Sequence, residues 1–376
     1  MADEPTPRGR LIGLDVARGL AVVLMIQTHA YDGWVAAAAR GGAAFRLTRF
    51  LGTFPLPSFL MLAGAGIALR AEVGIRKGEP AAQVRTGLVE RGLEILMVGY
   101  LVNAIYFAMD GGPPTTTILR GDVLHAIGLG LAIVAGFAIR PSASDGSPDR
   151  RRLARVAGLA ALVFALVSIP ANRWAATLRG PVRFVAAPFV DVPGLAKMPL
   201  FPLGTWLALG VGLSLVLSAR REAAKDDAFA AVAGAPRTTL LGLFALAPLV
   251  SVVAYGAMLA TVDALGGPLD RTHPAILWNL VDLGARATFL VALSGLVSTR
   301  LPAWALAPLV LLGRSSLVAY AFHIPFCYGR IARPIARSLG MGSSTALFVG
   351  LVVLTYGVVR AEEAWKQRRR SAPPAS

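Results

Sequence analysis

The sequence predicts an all-α, polytopic membrane protein, with about ten transmembrane helices in one bundle and both termini cytoplasmic. Three observations predict it. The 376 residues are 55% hydrophobic and only 15% charged, with a mean hydropathy of +0.62, whereas soluble domains carry about a quarter charged residues. A soluble globular enzyme is thereby excluded. Ten stretches approach the ~20 apolar residues that a membrane span needs. Lys and Arg are biased about two to one toward the connections that share a side with the N-terminus, as cytoplasmic loops require. This placement accounts for most of the net charge of +16 and removes nucleic acid as a partner.

The elements follow in order. Residues 1–11 form a short cytoplasmic segment, 12–361 the transmembrane domain, and 362–376 a basic cytoplasmic tail. The expected spans are 12–33, 54–71, 88–109, 119–139, 153–171, 199–218, 238–261, 275–297, 315–330 and 343–361. The first resembles a secretory signal only superficially. Its leader carries Asp3 and Glu4, Arg18 and His29 flank its apolar part, and nine apolar stretches follow, so it is read as an uncleaved span. The longest connections, 34–53 and 172–198, mix Arg with aromatic and apolar residues and are expected at the membrane surface. The segment 141–150 is a flexible turn. No internal repeat or soluble domain is evident. A single cysteine, Cys327, excludes an internal disulfide framework and a thiolate metal cluster. Gly64 and Gly66 are read as small residues that let helices approach, not as a phosphate loop. Pro202 is expected to break the sixth span.

Ionisable groups within spans are costly unless paired or hydrated, which makes them functional candidates. Asp15, Arg18 and His29 share one face of the first helix, with Arg18 and His29 about 16 Å apart along the axis. The bland reading of the first two is an i,i+3 interfacial pair. Of the four histidines, His29, His125 and His323 fall inside spans, and His273 lies in a loop. Asp122 and His125 are i,i+3 neighbours, so the carboxylate could orient the ring. Ser316 and Tyr320 share a face with His323. Each histidine taken singly reads as a satisfied core group, but three at similar depth point to a shared polar cavity. Asp282 and Arg286 are i,i+4 and are read as a structural pair. No metal-ligand spacing, Walker motif or nucleophile elbow is present.

These residues carry a resemblance. Arg10-x4-Asp15-x2-Arg18-Gly19-x-Ala21, with His29 fourteen residues after the aspartate, is similar to the opening of integral-membrane acyltransferases. The run 57–64, Pro-Ser-Phe-Leu-Met-Leu-Ala-Gly, resembles their second span. The run 122–128, Asp-Val-Leu-His-Ala-Ile-Gly, resembles the fourth span of the heparan-α-glucosaminide N-acetyltransferase-like group. Leu312-Gly313-Arg314-Ser315-Ser316-Leu317-x2-Tyr320-x2-His323 resembles that group's late span. The lysosomal member of the group has its catalytic histidine in the loop after the first span. The corresponding loop here, 30–53, has none, so assigning the role to His29 follows the wider acyltransferase pattern.

The resemblance implies transfer of an acyl group, usually acetyl from acetyl-CoA, to a sugar hydroxyl or amine across the membrane. Such transfer needs a base for the acceptor and donors for the tetrahedral oxyanion. His29 is the expected base, acting directly or as a transient acyl carrier, with Asp122, His125 and His323 completing the catalytic set. Ser316 and Tyr320 are expected to contact substrate. Arg18, Arg91 and Arg314 are expected to bind the CoA phosphates, although cytoplasmic placement alone explains any one of them. The expected partners are membrane lipid, acyl-CoA and a glycan or other small acceptor; a homo-oligomer is left open. The expected location is a bacterial inner (plasma) membrane. The alternative is a proton-coupled transporter or flippase of a lipid or sugar, with His, Asp and Arg as relay groups.

Overall fold

The computed structural model describes residues 11–224 and 226–371. Arg8, Arg10 and Lys225, the segment 1–10 and the end of the basic tail lie outside the described residues. In chain order the helices are α1 (Ile12–Trp34), α2 (Ala43–Leu51), α3 (Pro55–Lys77), α4 (Ala81–Asp110), α5 (Pro114–Ile118) and α6 (Val123–Ala138). Then come α7 (Arg150–Leu166), α8 (Ser168–Ala175), α9 (Val182–Ala186), α10 (Leu200–Ala223), α11 (Ala228–Ala233) and α12 (Arg237–Leu265). The series closes with α13 (Ile276–Ser298), α14 (Ala303–Arg314), α15 (Ser316–Cys327), α16 (Gly329–Ala332) and α17 (Met341–Ser371). No strand occurs among the described residues.

The expected ten spans are not all reached. Seven helical segments are long and apolar enough to cross a membrane, or up to nine if each of two bent pairs counts as one span. The fourth expected span falls short because α6 has only 16 residues, about 24 Å at 1.5 Å per residue against a hydrocarbon core of ~30 Å. The fifth is a broken pair, α7 with α8, bent by 45°. The ninth was expected as one short helix over 315–330. It is instead the second half of α14–α15, which bends by 82° at a break around Ser315.

The described helices fall into two compact units. The first holds the residues up to Pro55, Ala231–Gly234 and those from Leu293 on. Its central helix is α1, where Val16, Ala17, Ala21, Val22 and Ile26 are wholly buried. The glycines of the two sequence motifs explain how α14 packs on it. A Cβ at Gly19 would lie 2.0 Å from the Leu309 carbonyl oxygen, and one at Gly313 would lie 2.2 Å from that of Asp15. Only glycine permits this backbone-to-backbone approach. Beyond α1 the chain is stitched to the segment before α17. Arg337 N–H donates to Gly33 O (2.8 Å), Leu339 N–H to Trp34 O (3.0 Å) and Ala36 N–H to Leu339 O (2.9 Å). Trp34 Nε1 also donates to Phe326 O at 2.9 Å, and Tyr31 Oη pairs with Thr345 Oγ1 at 2.6 Å.

The second unit holds Leu56–Ala230 and Ala235–Ala292. Its core joins α3, α4, α6, α7 and α10 through Leu60, Ile67, Val84, Val134, Leu153 and Leu207. Gly64 and Gly210 line a close α3–α10 crossing, as the small-residue reading expects for Gly64, whereas a Cβ at Gly66 would meet nothing within 4 Å, so that glycine lines no helix contact. The first turn of α10 departs from helical geometry at Phe201 (φ −93°, ψ 115°), directly before Pro202, so a break falls where it was expected. Asp282, 1% exposed, receives bonds from Arg286 at 2.9 and 2.7 Å and one from Ser251. Arg150 bridges Glu72 and Glu222 and so ties α7 to α3 and α10.

Candidate active site

In the first unit the end of α1 meets the second half of the broken pair. His29 Nδ1 and His323 Nε2 are 2.8 Å apart, although 294 residues separate them in sequence. The rings lie 6° from parallel with centroids 5.1 Å apart. Face-to-face stacking would hold all ring atoms at van der Waals distance, so a 2.8 Å nitrogen pair means an edge-to-edge bond in the ring plane. His323 is fully buried, and its Nδ1 lies 2.7 Å from the Ala319 carbonyl oxygen one turn earlier on α15.

The chemistry of these partners sets the tautomers. A carbonyl oxygen only accepts, so His323 Nδ1 carries a proton. In the neutral ring Nε2 then accepts from His29 Nδ1–H, which leaves the His29 lone pair on Nε2. The carbonyl, the buried ring and the half-buried ring form a three-member chain ending in a base nitrogen.

Around His29 the sequence reading missed a second layer. The Tyr328 ring stands edge-on to His29 at 5.6 Å, and its hydroxyl donates to Asp32 Oδ2 at 3.0 Å. Asp32 Oδ1 also lies 3.7 Å from Arg40 and 3.8 Å from Arg49. Asp32 follows His29 by three residues, so helical spacing could have found it. Tyr328 lies just beyond α15 and Arg49 on a surface helix, and no sequence pattern connects them to His29.

The remaining candidates are distributed as follows. Tyr320 is buried with its ring 6.1 Å from that of His323, and Ser316 opens α15. Arg18 lies 3.9 Å from Asp15, and Arg314 lies 3.6 Å from Glu363. Arg91, in the second unit, pairs with Glu94 at 2.9 Å. Asp122 and His125 also belong to the second unit, where they build the start of α6. Asp122 caps the helix by accepting from Val123 N–H at 2.7 Å, and its own N–H donates to His125 Nδ1 at 3.1 Å. The backbone amide of Asp122, rather than its carboxylate, therefore orients the ring, because a reciprocal cap satisfies amides that a helix start leaves unpaired. Since Nδ1 accepts, the proton sits on Nε2, which is buried without a hydrogen-bond partner among the described residues.

Gly99 of α4 makes room for that ring: a Cβ there would lie 2.9 Å from His125 Cε1. Gly99→Ala is expected to cost about 1–3 kcal/mol, the usual range for overpacking. The check is a lowered thermal midpoint in detergent; an unchanged midpoint would show that the ring shifts at no cost.

Among the described residues no group of three His, Cys, Asp or Glu side chains is arranged to hold a metal ion. Residues 10–240, more than half of the chain, match the family described as heparan-alpha-glucosaminide N-acetyltransferase, catalytic. The chain belongs to this family. No curated protein matches the chain. The match to the N-acetyltransferase family spans α1 to the start of α12 and so includes His29, Asp122 and His125. His323, its partner carbonyl and the whole broken pair α14–α15 lie beyond it. Membership in a transferase family accords with a polytopic membrane chain whose α1 carries a histidine bonded to a second, buried one.

Proposed function

We propose that this protein is a membrane-embedded acyltransferase that moves an acyl group, acetyl in the first instance, from acyl-CoA to a hydroxyl or amine of an extracytoplasmic glycan or other acceptor. The observation that carries the reading is the Ala319–His323–His29 chain. His29 Nε2 removes the proton of the acceptor as its oxygen or nitrogen bonds to the acyl carbon. The carbon–sulfur bond then breaks, and His29 returns the proton to the departing thiolate. His323 holds His29 in the required tautomer. Both of its nitrogens are engaged, so its effect on substrate passes through His29. Tyr320 and Ser316, on the same helix, are proposed to contact the acyl or acceptor group. Arg18 and Arg314, both in the first unit, are proposed to bind CoA phosphates, exchanging a carboxylate partner for a phosphate.

The testing assay is acetyl transfer from acetyl-CoA to a panel of amino sugars and glycans by the reconstituted protein. Turnover that depends on acetyl-CoA is expected. Its absence with every acceptor would return the transporter alternative to the front. The direction of transfer rests on both termini being cytoplasmic, as the cation bias implies. A reporter fused after Ser376 is expected to be active only on the cytoplasmic side, and activity only outside would reverse the direction.

A further inference from the structure

The end of the first unit that surrounds His29 has an unusual surface. It is made of the segment after α1, including α2, and of residues 328–340, which the Tyr328–Asp32 bond and the 33–36 ladder hold together. These two segments carry Arg40, Arg46, Arg49, Arg330, Arg333 and Arg337 and no acidic residue, and Asp32, in the last turn of α1, is the carboxylate beside them. All of these arginines except Arg40 are exposed. Arg40 and Arg49 converge on the single Asp32 carboxylate, which leaves an excess of positive charge one helical turn from the proposed base. Arg337 is held at φ 53°, a left-handed conformation rare for a side-chain-bearing residue, and its amide bond to Gly33 fixes it there. Large apolar side chains are interleaved with these cations: Leu47 is 58%, Phe50 49% and Ile331 50% exposed. Arginine alternating with exposed apolar residues is the pattern of a protein surface seated among lipid headgroups. A loop built to receive a neutral soluble sugar needs neither feature.

We infer that this surface binds the phosphate of a membrane-borne acceptor, so that the group to be acylated is presented to His29 on a phosphate-bearing lipid. The inference rests on the proposed acyl transfer at His29 and narrows its acceptor class. Exposed guanidinium groups supply charge-assisted bonds to the phosphate, the apolar side chains hold the lipid chain beside it, and the acceptor hydroxyl or amine extends toward His29 Nε2.

Binding is measured separately from turnover. Full-length protein in neutral detergent is titrated with fluorescent short-chain phosphatidic acid, with the phosphatidylcholine analogue and inorganic phosphate as comparison ligands. Wild type is expected to bind phosphatidic acid at least tenfold more tightly than either, with affinity falling as salt is raised. Arg46→Gln/Arg49→Gln is expected to weaken that binding at least fivefold, whereas Arg220→Gln/Arg221→Gln, on α10 of the other unit, leaves it unchanged. Because Arg49 contacts Asp32, Arg46→Gln/Arg333→Gln is measured alongside and is expected to weaken binding in the same direction. Equal binding of the two lipids, equal binding of inorganic phosphate and phosphatidic acid, or equal loss in the α10 variant would each overturn the inference. Retained lipid binding in a His29→Ala protein that has lost transfer would support it. Lost transfer with no lipid preference would reject the lipid acceptor while leaving the role of His29 standing.

Discussion

Replacing His29 with alanine is expected to lower acyl transfer by about 10²–10⁴-fold, the usual contribution of a positioned general base. The variant should remain folded and still retain CoA, because the half-buried ring of His29 stands at the exposed end of the chain from Ala319 through His323. His323→Ala is expected to reduce turnover less completely but to change its pH profile. His323→Ala removes the Nε2 acceptor that holds the His29 proton on Nδ1, which weakens the specification of the base nitrogen. Activity should also fall on acidification, since the bond between the rings needs one lone pair and the base needs another. His273→Ala is the control, because that ring bonds the Gly266 carbonyl and the Ala275 amide within its own turn. Near-normal turnover in the His29 variant would remove it as the base and shift attention to His125.

The largest stability effect is expected in the second unit at Asp282. Its carboxylate takes two bonds from Arg286 and one from Ser251 while almost wholly buried. Asp282→Ala removes the carboxylate that takes two bonds from this guanidinium and is expected to cost about 3–5 kcal/mol, the range for breaking a buried pair from one side. Thermal unfolding in detergent reads the loss. The double variant Asp282→Leu/Arg286→Met is expected to recover most of it, because removing both charges leaves no uncompensated ion. A double variant as unstable as the single one would mean that the pair holds a specific geometry, as a hydrogen-bonded hinge would. A mild single variant would place the pair in contact with water.

The α-helical membrane class, the family and the main polar candidates were legible because they depend on local composition and spacing. Backbone groups in lipid must bond within their own segment, so a long apolar run of this kind becomes a helix whatever surrounds it. Helical periodicity likewise placed Asp15, Arg18 and His29 on one face, paired Asp282 with Arg286, and put Tyr320 beside His323. The early resemblance to acyltransferases rested on such local runs, and the family match over 10–240 agrees with it.

What depended on distant parts of the chain was not legible. Hydropathy shows a polar interruption at Arg314-Ser315-Ser316 but not the 82° bend that falls there, because the angle is set by the backbone at Ser315 and not by polarity. Nor could spacing reveal the reciprocal cap at Asp122 and His125, which the sequence suggested as a carboxylate–imidazole contact. The bond between His29 and His323 belongs to the same class. Sequence identified both rings as costly in lipid and in need of partners. Only packing, through the glycine-lined crossing of α1 and α14 and the bend that follows it, decided that each would satisfy the other, because the energy of a buried polar group is set by the atoms that folding brings to it.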